Sequence, residues 1–139
     1  MTKWAASLIR ISTHEVETLQ KRLADVVERR MAAELRVAML DAEAEAEAKL
    51  AEACSDTAWM MTSYREGSKR LRAHMMLQIE QCQIEEQGAR DALSVAFEAL
   101  KKYEHVAEAA KVLQTKKMDK YESAQLDELG LRRTGTYRR

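Results

Sequence analysis

The stretch Leu19-Gln-Lys-Arg-Leu23-Ala-Asp-Val26-Val-Glu-Arg-Arg30-Met-Ala-Ala33-Glu-Leu-Arg-Val37-Ala-Met-Leu40 sets an apolar residue at alternating steps of four and three, interrupted only at Arg30. At 3.6 residues per turn, that spacing draws a single stripe along an α-helix. Extended both ways, the stepping runs from Ala5 through Ile9, Ser12 and Val16 to Ala44, Glu47, Ala51, Cys54, Ala58 and Met61. Fourteen of its seventeen positions are apolar. A heptad stripe kept up for so long predicts a coiled-coil helix. Leu8, Val27, Met31 and Leu50 lie beside the stripe and widen it. Asp41-Ala-Glu-Ala-Glu-Ala-Glu-Ala-Lys-Leu50 alternates with period two, as a strand would. Ala and Glu are strong helix formers and poor strand formers, so helix is expected there as well.

The stepping resumes at Leu71 and passes through Met75, Gln78, Cys82, Glu85, Ala89, Ala92, Ala96, Ala99, Tyr103, Val106 and Ala110 to Leu113. Ile79, Leu93, Phe97 and Leu100 form a second apolar row beside it. Between the two runs lies Thr62-Ser-Tyr-Arg-Glu-Gly-Ser-Lys69, where Gly67 suits a left-handed helix cap and Ser68 an N-cap. Gly88 is a weaker break, with helical pattern on both sides. A turn near 63–68 makes two arms of roughly 60 residues, each about 90 Å long. Neither arm can bury its stripe alone, so pairing supplies the stability. The expected fold is all-α, a long two-helix antiparallel coiled-coil hairpin over residues 1–129. One continuous helix dimerising in parallel is the alternative. Residues 130–139 hold Arg132, Arg133, Arg138 and Arg139, two glycines and no acid, and read as a basic disordered tail.

Composition agrees. The 139 residues include no proline, four glycines and one phenylalanine, Phe97, so helices have few forced stops and no thick aromatic core is available. Twenty-three basic residues balance twenty-three acidic ones. Nucleic-acid binders usually carry a basic excess, so that class is set aside. No run approaches the roughly 20 apolar residues that span a bilayer. Trp4 to Ile9 is mostly apolar, but Arg10 ends it too soon for a signal-peptide core. A cytoplasmic protein is expected.

Charge falls in blocks. Residues 1–40 carry 7 basic and 5 acidic groups and residues 101–139 carry 10 and 6, so a fold at the midpoint gathers a base of net +6. Residues 41–62 (net −5) then meet residues 73–100 (net −4), giving an acidic middle, and residues 63–72 make a tip of +3. Zoning of this kind suits contact with more than one partner surface.

No chemistry of catalysis is legible. His14-Glu15 opens like a zinc-protease signature, but Thr18 stands where the second histidine is needed. No Walker-type glycine loop occurs. His105 has Glu108 one turn away, without the further ligands a metal requires. Catalysis needs convergent groups in a concave pocket, which a two-helix rod lacks. No enzyme activity, cofactor, metal or small-molecule substrate is expected. Cys54 and Cys82 fall on their stripes, nearly equidistant from Gly67, and could face one another. As small buried hydrophobes they need no further role. Met60, Met61, Met75 and Met76 flank the expected tip on both arms, where flexible thioethers suit either packing or an adaptable binding surface.

The second half also carries a family pattern. Leu71-Arg-Ala-His-Met-Met-Leu-Gln-Ile-Glu-Gln-Cys82 resembles the start of the second helix in the FliJ family of flagellar type III export stalk proteins, relatives of the YscO proteins of injectisomes. Lys116-Lys117-Met118-Asp119-Lys120-Tyr121-Glu122, followed by Leu126-Asp127-Glu128-Leu129, is similar to that family's charged end. Length and hairpin symmetry match across the chain, and Leu71 stands where family members often have an aromatic.

The resemblance implies a non-enzymatic protein, cytoplasmic and peripheral at the export apparatus. It would dock into the export ATPase hexamer, promote assembly of that ring, contact the membrane export gate protein and handle export chaperones. Leu71, Met75, Gln78 and Cys82 occupy the row matching the family's exposed recognition patch. They are also stripe positions, so the two readings compete. Cys82 is taken as core, and Leu71, Met75, Met76 and Gln78 as gate-contact candidates. Arg29, Arg30, Lys101, Lys102 and Lys111, with the termini, are the candidates for the ATPase ring, because a shaft in a pore needs long exposed side chains of suitable sign. A structural coiled-coil scaffold or tether unrelated to export is the alternative, and a membrane or nucleic-acid binder acting through the tail is a third.

Overall fold

The computed structural model describes residues 3–54, 56 and 58–137. The fold is all-α. Helix α1 spans Lys3–Ala53 and helix α2 spans Ala58–Tyr137, 51 and 80 residues, and the two pack antiparallel as a hairpin. No strand occurs among the described residues. The Asp41–Leu50 stretch is helical throughout, as its Ala and Glu content requires.

The chain forms two compact units, Val16–Val95 and a second made of Met1–Glu15 with Ala96–Arg139. In the first, the hairpin unit, α1 and α2 contribute 38 residues each (16–53 and 58–95) around the connection. Val16, Val26, Val37 and Leu40 of α1 bury against Ile79, Cys82, Glu86 and Ala89 of α2. The second, the terminal unit, buries Ala5 and Ser12 with Ala96, Leu100 and Ala107. No side chain among the described residues is less than 2% exposed. Two helices offer each other one face only, so every core residue keeps an edge in solvent.

On α1 the sequence stripe is the observed one: its members from Ala5 to Ala44 are all buried or half-buried. On α2 the phase differs. Cys82, Ala89 and Ala96 hold their expected places, but Ile79, Glu86, Leu93 and Ala107 replace Gln78, Glu85, Ala92 and Val106, and Leu100 is buried beside half-buried Ala99. Three members of the row first read as an accessory are therefore seam residues, while the fourth, Phe97, is exposed. Ile79, Leu93 and Leu100 each remove more apolar area from water than the Gln or Ala one residue earlier.

The turn expected at 63–68 is not where the chain reverses. Those residues lie inside α2, and the helices are interrupted at 54–57 instead. Gly67 has no positive φ, so its capacity for a left-handed cap goes unused. The break coincides with Ser55-Asp56-Thr57, whose short polar side chains compete with the helical backbone and favour caps. The amide of Cys54 still donates to Leu50 O at 3.1 Å, closing the last turn of α1.

Moving the reversal by ten residues moves every partner across the hairpin by about twenty. Cys82 faces the Ala32–Ala33 region rather than Cys54, which is exposed at the end of α1. Met60 and Met61 begin α2 and Met75 and Met76 follow on the same helix, so the four do not flank a tip on two arms. The acidic middle dissolves too, because Asp41 meets Arg72 at 2.8 Å and its acidic run lies along the basic 65–72 segment. The expected tail is helical as far as Tyr137, aided by Arg132 donating to Glu128 at 3.1 Å one turn back. Arg138 and Arg139 lie outside the described residues.

Candidate interaction surfaces

Three cross-helix ion pairs define the register of the hairpin unit. Arg29 Nη2 donates to Glu85 Oε2 at 2.8 Å, Arg30 Nε to Glu86 Oε2 at 2.6 Å and Arg72 Nε to Asp41 Oδ1 at 2.8 Å. Glu86 is the only buried charged side chain among the described residues. Its second oxygen accepts from Arg90 Nη2 at 2.7 Å, while Arg30 also donates to Glu34 at 2.9 Å. The hydrogen bond from Arg90, then that from Arg30, holds the Glu86 carboxyl below the usual glutamate value. The bond to Glu86 in turn raises the Arg30 guanidinium. Arg30, the charged member of the covered α1 stripe from Ala5 to Ala44, is thus matched by Glu86, the buried charged residue of the α2 seam.

Beside this network runs a groove floored by Ala32, Ala33 and Cys82. It is walled by Arg29, Arg36 and Met75, with Gln78, Gln81 and Glu85 along the α2 edge. Two of the gate-contact candidates, Met75 and Gln78, are brought together here. Leu71 and Met76, 40% and 39% exposed, lie on α2 outside the groove lining. Arg36, absent from the sequence candidates, faces the same groove as Arg29. Its signal was the seven-residue spacing from Arg29 across two small alanines, which sets two guanidinium groups on either side of a shallow floor.

The ATPase-ring candidates divide between the units. Arg29 and Arg30 belong to the hairpin unit and are held by Glu85, Glu86 and Glu34. Lys101, Lys102 and Lys111 belong to the terminal unit and are exposed. Lys101 reaches Glu104 at 3.3 Å, and Lys111 lines a groove with Ile9, Glu104, Ala107 and Glu108. Ala107 is the last buried residue of α2 among those described. From Glu108 to Gly135 every position is exposed, an extension carrying Leu113, Met118, Tyr121, Leu126, Leu129 and Leu131 on more than one side. The sequence reading ran the seam to Leu113 and took Lys116–Leu129 for the family's charged end, without weighing its apolar residues, whose spacing loses its period there. Among the described residues no cluster of three or more His, Cys, Asp or Glu could hold a metal. Among the same residues no helix is long and apolar enough to cross a membrane.

The chain matches no family model, and no solved structure matches it. It is 73% identical over 133 residues to the flagellar FliJ proteins of two strains of Caulobacter vibrioides, a match covering 96% of this chain and 96% of each relative. Identity at that level over almost the whole length places this chain in the flagellar FliJ family.

Proposed function

We propose that this protein is a non-catalytic, cytoplasmic component of the flagellar type III export apparatus that docks into the ring of the export ATPase. In this reading it also touches the membrane export gate and export chaperones. The observation that carries the reading is the α2 extension from Glu108 to Gly135. It is exposed on all sides yet apolar on more than one. A helix of that kind is expected to be gripped from several directions rather than covered along one stripe. A ring of subunits supplies such a grip. Lys101, Lys102 and Lys111 sit at or near the start of the extension, where long cations can reach carboxylates on a surrounding surface. Arg29 and Arg30 act one step back, setting the register of the hairpin through Glu85 and Glu86. The groove of Met75 and Gln78, with Leu71 and Met76 on the same helix, is assigned to the export gate.

The test is to titrate the purified protein into the export ATPase and follow ring assembly and ATP hydrolysis. Both should rise, and a chain ending at Lys111 should lose the effect while keeping its helical spectrum. Absence of any complex would leave the second reading, a coiled-coil scaffold without an ATPase partner.

A further inference from the structure

The terminal unit has an apolar face that its own helix pairing does not cover. On α1, Trp4, Leu8 and Ile11 recur at steps of four and three, and Trp4 and Ile11 are 59% and 64% exposed. On α2, Ala99, Tyr103, Val106, Ala110 and Leu113 recur at the same spacing, with Val106 50% and Leu113 60% exposed. The two rows lie on one side. Ile9, Glu104, Glu108 and Lys111 share a groove and mark the opposite side of the Ala5–Ser12 and Leu100–Ala107 seams. At about 100° per residue, Trp4 and Ile11 fall across their seam from Ile9, and Val106 and Leu113 fall across theirs from Glu104 and Glu108.

Charge on the α2 part of this face is mostly basic. Lys102, Lys117 and Lys120 lie within about 60° of Val106 around α2, as do Tyr103 and Tyr121. Of the acids of α2 from Glu98 to Glu122, Glu98 lies about 80° away and the other four about 140° or more. All three lysines are exposed, and none is in an ion pair among the described residues. On α1 the row ends at Glu15. The terminal unit carries 12 basic and 8 acidic side chains, net +4, against 11 and 15, net −4, for the hairpin unit. The stripe also continues past Ala107, into a stretch of α2 exposed from Glu108 to Gly135, to Lys117, Lys120 and Tyr121. A partner helix seated in a groove between α1 and α2 has no reason to need that continuation, whereas a flat surface does.

We infer that this face docks on an anionic lipid bilayer. Trp4, Ile11, Val106 and Leu113 would enter the interfacial region, Tyr103 and Tyr121 would sit at headgroup level, and the lysines would reach lipid phosphates. The inference is independent of the export reading and of any protein partner. Since Lys102 is also a ring candidate, lipid and ring would exclude one another on this unit.

The experiment uses the full chain carrying Trp59→Phe, which leaves Trp4 as the single tryptophan. Vesicles of phosphatidylcholine alone are compared with vesicles containing phosphatidylglycerol. Co-flotation and a blue shift of Trp4 emission are expected with the anionic vesicles only, weakening as salt rises. Replacing Lys102, Lys117 and Lys120 together by Glu should weaken binding about tenfold or more, and replacing them by Arg should preserve it. Circular dichroism of both triple variants checks that the helices persist. The inference is overturned if anionic vesicles are ignored, if neutral vesicles bind equally, or if the Glu triple variant binds unchanged. Loss of a protein partner through the same substitutions, without lipid binding by the parent chain, would reassign the face to a protein.

Discussion

Glu86 is the residue on which the hairpin unit turns. It is 8% exposed and takes hydrogen bonds from Arg30 and Arg90. Its folded pKa lies below the ordinary value of 4.5, so its contribution is fully present above that pH and fades as pH falls through the depressed folded value. Urea melts of Glu86→Gln and the parent chain should therefore differ most near neutrality and converge in acid. Val26, 2% exposed, is the best-buried side chain of the seam, and Val26→Ala should cost roughly 1.5–3 kcal/mol in the same melts. Gly67 tests the placement of the turn. It is helical, has no positive φ and has open space where a Cβ would stand. Gly67→Ala should therefore stabilise by about 0.5–1 kcal/mol, where a left-handed cap would make it destabilising. The Arg30 break in the stripe was visible in the sequence, but its partner was not, since the assumed register set Glu86 opposite a different part of α1.

At the scale of the helices, the reversal at 54–57 makes a specific pairing. Spin labels at Arg22 and Ala92, both exposed in the hairpin unit, should couple at the short range set by helices about 8–10 Å apart. A reversal near 67 would slide them apart by roughly 30 Å. Oxidation should likewise give no intramolecular Cys54–Cys82 crosslink, because Cys82 lies along Ala32 and Ala33. Between Leu40 and Ile79 no described residue is buried, and Ala44, Ala48, Ala51, Met61, Ser68 and Met75 are only half-covered. Local opening should begin at this end, so amide exchange is expected to be faster in residues 43–72 than around Val26 and Ala89. The element types were legible because Ala, Glu and Leu favour helix and their spacing repeats. The break was not, because a glycine in a helix and a glycine at a cap look alike in sequence, while Ser55-Asp56-Thr57 carries no residue that forbids a helix.

For the molecule as a whole, removal of the chain beyond Lys111 deletes no residue that is buried among those described. Its melting free energy should change by less than about 1 kcal/mol, while stimulation of the export ATPase is lost; a large drop in stability would mean that the extension packs on something. Composition and period alone established a helical, proline-free, two-armed chain with one apolar stripe per arm, and family membership was legible in Leu71–Cys82 and Lys116–Leu129. Those properties are local, arising from propensity and from the angle between successive side chains. Which α2 row is the seam, which charges pair and which faces stay open depended on the register. Register is a contest among many near-equal alignments of two repeating stripes, and it is decided only when both helices meet and Arg30 finds Glu86.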